Sequence, residues 1–368
     1  MPKAARRDRD WPAAAELRAK LLAWYDRNRR DLPWRRSKDP YSIWVSEIML
    51  QQTRVAVVVD HYRQFLHSFP SLLSLALADE QEVLAEWSGL GYYRRARLLH
   101  KAARFVANQL NGNLPTTAEA LRALPGIGAY TAAAIASIAH GEAVAVVDGN
   151  VERVLCRLAG WDWGSRAGGA ALKRQIDLLA SQLVHPQRPG DFNQAMMELG
   201  ATVCLPRNPE CRLCPFSAVC KTRGEHKTRP RPRMLSREVA HALSVRMGTE
   251  PGALDREVLL EQRPASLTVM PGLWELPVLA GADVPESELR MTVRHAIMQV
   301  NYYVRVRTVF EDDVPALTVQ AGERRWVPLA EAGAMALTGL TRKVLTRAHL
   351  LAAATLNPIA TPAEQGVV

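Results

Sequence analysis

LPGIGAYTA, residues 124–132, sets two glycines two positions apart, between the apolar LRAL that closes one helical run and the AAAIAS that opens the next. Glycine allows φ > 0 and lets a backbone come close to a ligand. The second helix begins with free N–H groups and the positive end of its dipole, which suit an anion. A nucleic-acid phosphate, held without regard to sequence, is one natural occupant; a plain turn between two helices is the other reading. Small residues throughout Ala132–Ala136 let the two helices pack closely.

Outward from this turn the texture is helical. AAAELRAKLLAWYD (13–26), YSIWVSEIMLQQTRVAVVVDHYRQFL (41–66) and LLHKAARFVANQL (98–110) carry apolar residues at helical spacing, and further helices are expected over 131–139, 148–159, 170–184 and 191–201. Thr116 or Thr117 is positioned to cap AEALRAL. The stretch 221–237, KTRGEHKTRPRPRMLSR, holds seven Lys or Arg, one Glu and two Pro without apolar periodicity, and reads as a basic linker. It is either a solvated spacer or a tether lying along phosphates. Beyond it EVAHALSVRM, REVLLEQRP, LWELPVL, NYYVRVRTVF and RRWVPL read as strands, and ESELRMTVRH and TRKVLTRAHL as helices.

Composition narrows the class. The 368 residues are 48% hydrophobic and 23% charged, enough for two folded domains or three. A net charge of +10 points to a polyanionic partner, nucleic acid or an anionic membrane surface, or else to solvated arginines. The longest apolar runs, such as AVAVV at 143–147, are far too short to span a bilayer, and MPKAARRDRD has no apolar signal core. Four of five cysteines, Cys204, Cys211, Cys214 and Cys220, fall in a C-x6-C-x2-C-x5-C pattern. Such a group suits zinc or a [4Fe–4S] cluster better than disulfides in a reducing compartment. Structural zinc usually takes two close pairs, so one C-x2-C with longer arms favours the cluster. Its loop carries Arg207, Arg212, Lys221 and Arg223, a way to present charge to phosphates. Cys156 stands alone and reads as packing.

Taken in order, WVSEIMLQQT (44–53), GLGYYRRAR (89–97), LPGIGAYTA, VDGNVERVL (147–155) and FNQAMMELGATVC (192–204) resemble the MutY family of adenine DNA glycosylases, within the endonuclease III-like helix–hairpin–helix superfamily that carries an iron–sulfur cluster. The resemblance covers roughly residues 15–225; the C-terminal part resembles that family's Nudix-like lesion-recognition domain more weakly. It implies a mainly α N-terminal helix–hairpin–helix glycosylase domain with a [4Fe–4S] loop, plus a C-terminal α+β Nudix-like domain. The expected layout is a mobile arm (1–11), a helical domain (12–222) with the hairpin motif at 118–139 and the cluster loop at 204–220, a basic linker (223–237), the lesion-recognition domain (238–355) and a frayed tail (356–368).

The resemblance also assigns residues. Breaking an N-glycosidic bond calls for a proton on the leaving base and negative charge beside an oxocarbenium-like sugar. Glu47 is implied as the general acid, Asp148 as the residue that stabilises or transiently attacks the sugar cation, and Asn150 as the group that orients Asp148 or a water. They are 101 positions apart, so only the resemblance pairs Glu47 with Asp148. Tyr130 matches the position where strand-cleaving relatives carry a Schiff-base lysine. A phenol cannot form that adduct, so hydrolysis leaving an intact abasic strand is implied, with Tyr130 helping to hold Asp148.

Arg30, Trp34, Arg35 and Gln194 are implied in the pocket for the adenine. Leu50, Gln51, Gln52 and Tyr92 are implied in extruding the base, with Gly126 and Gly128 on the DNA backbone. The family's Phe-Ser-His reader is absent: the aligned stretch is RHAIMQVNYY (294–303), which leaves Ile297, Met298 and Gln299 as the equivalent tip. PGLWELP (271–277) resembles a Nudix loop and strand, but the Glu-rich helix of a working pyrophosphatase is missing.

The implied partner is duplex DNA with adenine opposite 8-oxoguanine or guanine, met by a monomer with no membrane role, in the cytoplasm at the nucleoid or in a nucleus. A thymine mismatch glycosylase and a non-catalytic mismatch-binding protein are the alternatives. Glu47 and Asp148 together argue against the second, and the C-terminal extension argues against the first.

Overall fold

The computed structural model describes residues 14–162, 169–226, 233–248, 256–317 and 322–352. The expected arm (1–11), the frayed tail (356–368) and positions 227–232 of the linker lie outside these. Among the described residues up to 202 eleven α-helices form: α1 (Ala14–Asn28), α2 (Pro40–Leu50), α3 (Val55–Ser68), α4 (Leu72–Leu77), α5 (Glu80–Glu86), α6 (Arg94–Gln109), α7 (Ala118–Leu121), α8 (Ala129–Ala139), α9 (Gly149–Ala159), α10 (Gly169–Leu183) and α11 (Pro189–Thr202). Strands β1 (Leu235–Leu243), β2 (Val245–Met247), β3 (Arg256–Gln262), β4 (Trp274–Glu275), β5 (Leu289–Ile297), β6 (Val300–Thr308) and β7 (Arg324–Pro328) follow, with helices α12 (Leu329–Ala332) and α13 (Gly339–Arg347) after them. No helix among the described residues is long and apolar enough to cross a membrane.

Two compact units form, and they do not follow chain order. One joins Met1–Gln51 to Phe105–Pro230, and the other joins Gln52–Arg104 to Arg231–Val368. In the first, Leu17, Leu21 and Tyr25 of α1 pack with Leu155 of α9, Ile176 of α10 and Phe192 and Leu199 of α11. In the second, Val258, Leu260, Val293, Val304 and Val306 meet Leu340 and Val344 of α13.

Local rules explain the element ends. Asp39 caps α2, its carboxylate accepting from the Ser42 N–H at 2.8 Å. Thr117 caps α7 by accepting from the Ala120 N–H at 3.3 Å. Residues 41–66, expected as one periodic run, are two helices. Gln52 takes φ 56°, in the left-handed region that ends a right-handed helix. Helices α4 and α5 lie in a stretch with no expected helix. Each opens on a capping box, Ser71 with Ser74 and Asp79 with Glu82, and the second is a D-x-x-E signal visible in the sequence.

One expected helix is a strand. ESELRMTVRH holds a short 3-10 turn at Glu286–Glu288 and then β5. The pattern there has period two: Val293 is buried while Arg290, Thr292 and Arg294 are exposed. Sheet order is β1-β6-β5, with β1 parallel and β5 antiparallel to β6. In the other sheet β3 pairs antiparallel with β2, β4 and β7.

Candidate active site

Helix α2 is buried almost all round, and Glu47 goes inside with it, at 5% exposure. A carboxylate there needs a partner. The Tyr130 hydroxyl, from the first turn of α8, donates to Glu47 Oε2 at 2.8 Å. Burial pushes the Glu47 carboxyl up to about 7; the Tyr130 hydrogen bond works against this, and the charge of Asp148 adds to it. Tyr130 is itself raised well above 10, by burial first and then by Glu47 and Asp148. The expectation that Tyr130 holds Asp148 is therefore corrected. Its hydroxyl bonds to Glu47, because α8 packs on α2, while Asp148 already has partners of its own.

Asp148 is the N-cap of α9. It accepts from the Val151 N–H at 2.8 Å and from Asn150 Nδ2 at 2.9 Å. Asn150 Oδ1 in turn accepts from Arg153 Nη2 at 2.8 Å, and Arg153 also donates to the carbonyls of Gly200 and Cys204 at 2.7 and 2.8 Å. Asp148 is thus oriented from two sides. Arg153 was not singled out in the sequence; its spacing of three from Asn150 on one helix was the available signal. The segment leading to Asp148 is pinned by the buried Asn193, which accepts from the Val146 N–H at 3.1 Å and donates to the Val144 carbonyl at 2.9 Å.

The implied pocket residues gather on a carboxylate that the sequence reading missed. Glu198, 1% exposed, accepts from Arg30 Nε at 2.8 Å and Nη2 at 2.7 Å, and from Arg35 Nη2 at 2.8 Å. Burial opposes its charge, but the hydrogen bonds of Arg30 and Arg35 outweigh that and hold its carboxyl down to about 2. Trp34 is buried in a 3-10 turn, Pro33–Arg35, between the two arginines. Gln194 and Arg35 line a cavity of about 300 Å³ with Tyr25, Lys38 and Arg188.

At the hairpin turn, Gly126 takes φ 76°, a conformation that favours glycine. Gly128 needs no such freedom, with φ −84°, and a Cβ there would meet nothing within 4 Å. Its missing side chain instead leaves the N-terminus of α8 bare. Leu50 is half-buried at the end of α2, and Gln51 Nε2 donates to Thr131 Oγ1 at 3.2 Å.

Gln52, Tyr92 and Met298 share an uncommon backbone state, with φ of 56°, 48° and 53°, and all three side chains are exposed. Non-glycine residues held there carry strain, and such residues cluster at functional sites. The Tyr92 loop is gripped by Arg95, which donates to the carbonyls of Leu90 and Gly91 at 3.1 and 3.2 Å and to Thr53 Oγ1 at 3.2 Å. Its guanidinium lies 5.4 and 5.5 Å from the rings of Trp87 and Tyr92. Met298 and Gln299 form the exposed turn between β5 and β6, and Ile297, half-buried, ends β5.

The four clustered cysteines are unbridged thiols. Burial pushes the Cys214 thiol up to about 11, and the charges of Cys204, Cys220 and Cys211 reach it as well. The loop is tied to α9: Arg157 donates to the carbonyls of Leu205 and Pro206 at 2.6 and 3.0 Å and to Cys204 Sγ at 3.4 Å. Among the described residues no three His, Cys, Asp or Glu side chains close on a point suited to a single metal ion. A four-iron cluster takes one thiolate per iron and so spaces its ligands more widely, and a half-buried set of four thiols fits that chemistry.

Residues 45–174 match the HhH-GPD superfamily of base excision DNA repair proteins. With its Gly-turn between α7 and α8 and its acid on α2, the chain belongs to this superfamily. Within it the chain is similar to adenine DNA glycosylases. It is 40% identical to the human protein of that name over 343 residues, 79% of this chain and 61% of the relative. It is 50% identical to the mouse protein over 214 residues, 56% of this chain and 41% of the relative. The Mycolicibacterium smegmatis protein is 43% identical over 198 residues, 54% and 66% of the two chains. The chain thus spans 61% and 41% of the length of the two mammalian relatives. Among solved structures, a thermostable thymine-DNA glycosylase superposes with a TM-score of 0.51 at 30% identity, over 57% of this chain and 95% of that one.

Proposed function

We propose that this chain is an adenine DNA glycosylase acting on adenine opposite 8-oxoguanine or guanine in duplex DNA. The observation that carries the reading is Glu47: a buried carboxyl with a pKa near neutrality, hydrogen-bonded to a tyrosine and within electrostatic reach of a second, capped carboxylate. That is the acid half of a split pair of carboxyl groups. Glu47 gives its proton to a ring nitrogen of the extruded adenine. The glycosidic bond breaks, its electron pair leaves with the base, and the sugar becomes an oxocarbenium ion. Asp148, oriented by its hydrogen-bond donors Asn150 and the Val151 N–H, faces the cation and stabilises it. Water adds to the sugar carbon and loses its proton to a carboxylate, and the products are adenine and an abasic site. Tyr130 offers no amine for a lyase step, so the strand stays intact.

The four cysteines would hold a [4Fe–4S] cluster that shapes the basic loop 204–220 against the DNA backbone. The segment 238–355 would act as a Nudix-like reader of the opposite base, with Ile297, Met298 and Gln299 at its tip. Replacing Gln299 by Ala should lower the preference for 8-oxoguanine over guanine about tenfold in single-turnover rate, the scale of one hydrogen bond to a base. An unchanged preference would remove Gln299 from the reader.

The likeness to a thymine-DNA glycosylase structure supports a second substrate reading, thymine opposite guanine. Single-turnover base release from the two duplexes, with and without alkali, separates the readings. Adenine release with nicking only after alkali is expected. Release of thymine alone would move the substrate, and nicking without alkali would overturn the role of Tyr130.

A further inference from the structure

Tyr92 sits in a loop, residues 88–93, between α5 and α6, at φ 48°. A tyrosine keeps such a conformation only when its surroundings over-determine it. Part of that constraint is local: Arg95 holds the Leu90 and Gly91 carbonyls, and His61 lies against the Ser88 carbonyl at 3.0 Å. The remainder comes from residues more than 240 positions away. Arg342, in the first turn of α13, donates from Nε to Ser88 Oγ at 2.9 Å, a separation of 254 residues. Tyr93, 4% exposed, donates its hydroxyl to the Leu337 carbonyl at 3.0 Å, across 244 residues. Both residues flanking the loop's exposed tip are therefore bonded to the C-terminal segment of the same compact unit.

Arg342 is an unusual residue for mere attachment. Its Nη2 donates to the Gly333 carbonyl at 3.1 Å and to the Met335 carbonyl at 3.5 Å. Among the described residues no carboxylate contributes to its environment, and burial lowers its pKa, with Tyr93 the one group that opposes this. This partly buried guanidinium is thus held by neutral acceptors, with Ser88 Oγ among them.

We propose that Arg342 is a positioning residue for base extrusion: bonded to Ser88, it fixes the loop that presents Tyr92, and the C-terminal domain thereby acts on the adenine strand through protein contacts as well as on the opposite base directly. This rests on the reading of the chain as a base-extruding glycosylase. The C-terminal domain then has two separable effects, one at the Met298–Gln299 turn and one at Ser88.

The test is a set of mutant cycles on the full chain, with 2-aminopurine in place of the target adenine as a fluorescent probe of extrusion. Ser88→Ala and Arg342→Met remove the same bond from its two ends. Each should lower the extrusion equilibrium about tenfold, the scale of a hydrogen bond to a charged group, and the double variant should lose no more than either single one. In a Tyr92→Ala background, adding Arg342→Met should have no further effect. A purely structural contact would lower the melting temperature and leave these ratios unmoved. Unchanged extrusion in S88A, or equal losses from R342M with and without Tyr92, would overturn the proposal, and S88A keeps the test decisive should R342M fail to fold. Extrusion by the wild-type chain in the face of those outcomes leaves the glycosylase reading standing. No extrusion signal from the wild type with any mispair would overturn both.

Discussion

Glu47 links activity and stability to pH in opposite senses from an ordinary surface glutamate. In its proposed role as general acid Glu47 must be protonated, so base release should fall as pH rises through about 7. Stability follows the same proton. Below the ordinary carboxyl value of 4.5 the group is protonated both folded and unfolded; between there and about 7 the folded chain alone keeps the proton, so stability declines as pH rises. Glu47→Gln should therefore abolish base release yet stabilise the fold by about 3 kcal/mol at pH 8, with the difference fading at acid pH. Chemical denaturation at both pH values checks it, and an equal effect at each would overturn it. Glu198 has the reverse character. Its carboxyl is held low by two arginines, so its contribution is present at neutral pH and lost only as pH falls from 4.5 toward about 2. Glu198→Ala leaves both guanidinium groups without their shared partner and should cost about 3 kcal/mol at pH 7, read from a denaturation midpoint. The sequence supplied the residue types of this site through motif resemblance, and it could not supply the pairings. AMMELGAT reads as an ordinary amphipathic turn, and nothing local marks Glu198 as the acceptor for arginines 168 and 163 positions earlier.

At the scale of elements, α9 and α11 cross where Gly200 meets Asn150. A Cβ at Gly200 would stand 2.6 Å from the Asn150 Cβ, too close for either to stay. Gly200→Ala should displace Asn150 and with it Asp148. With Asn150 orienting Asp148 in the proposed chemical step, a loss of single-turnover rate by about tenfold or more, with DNA affinity little changed, is the expected result; a fall in affinity alone would contradict it. Caps were the most legible part of the elements. Thr117 and the N-terminal Asp148 follow rules that need no tertiary knowledge. The two misreadings have definite causes. In 41–66 the break rests on one left-handed residue, Gln52, whose type carries no warning. In 286–295 acidic residues at the start look like a helix N-terminus, while the alternation that makes β5 begins only at Leu289.

The net charge of +10 belongs to the whole molecule, and so does its prediction. Binding to duplex DNA should weaken about a thousandfold between 50 and 200 mM salt if six phosphates are contacted, and the slope of log affinity against log salt reports that number. A flat salt response would leave the bare N-terminus of α8 and the basic cysteine loop without a role on DNA. The division of the chain into units that ignore sequence order was not legible at all, because the contacts that join 52–104 to the C-terminal segment, such as Tyr93 to Leu337, connect residues with no shared pattern.

Helix α1 presents Leu17, Leu21 and Tyr25 to partners on α9, α10 and α11, and Arg30 just after it waits for Glu198. During synthesis α1 leaves the ribosome long before α11 is made. At ordinary translation rates those 168 residues take roughly 10–30 s. For that interval a greasy helix and a pair of arginines are in the open, and the catalytic pocket has only one wall. The nascent chain is therefore a natural client for chaperones that shield apolar helices, and the Arg30–Glu198 and Arg35–Glu198 pairs close only after the last turn of α11 is delivered.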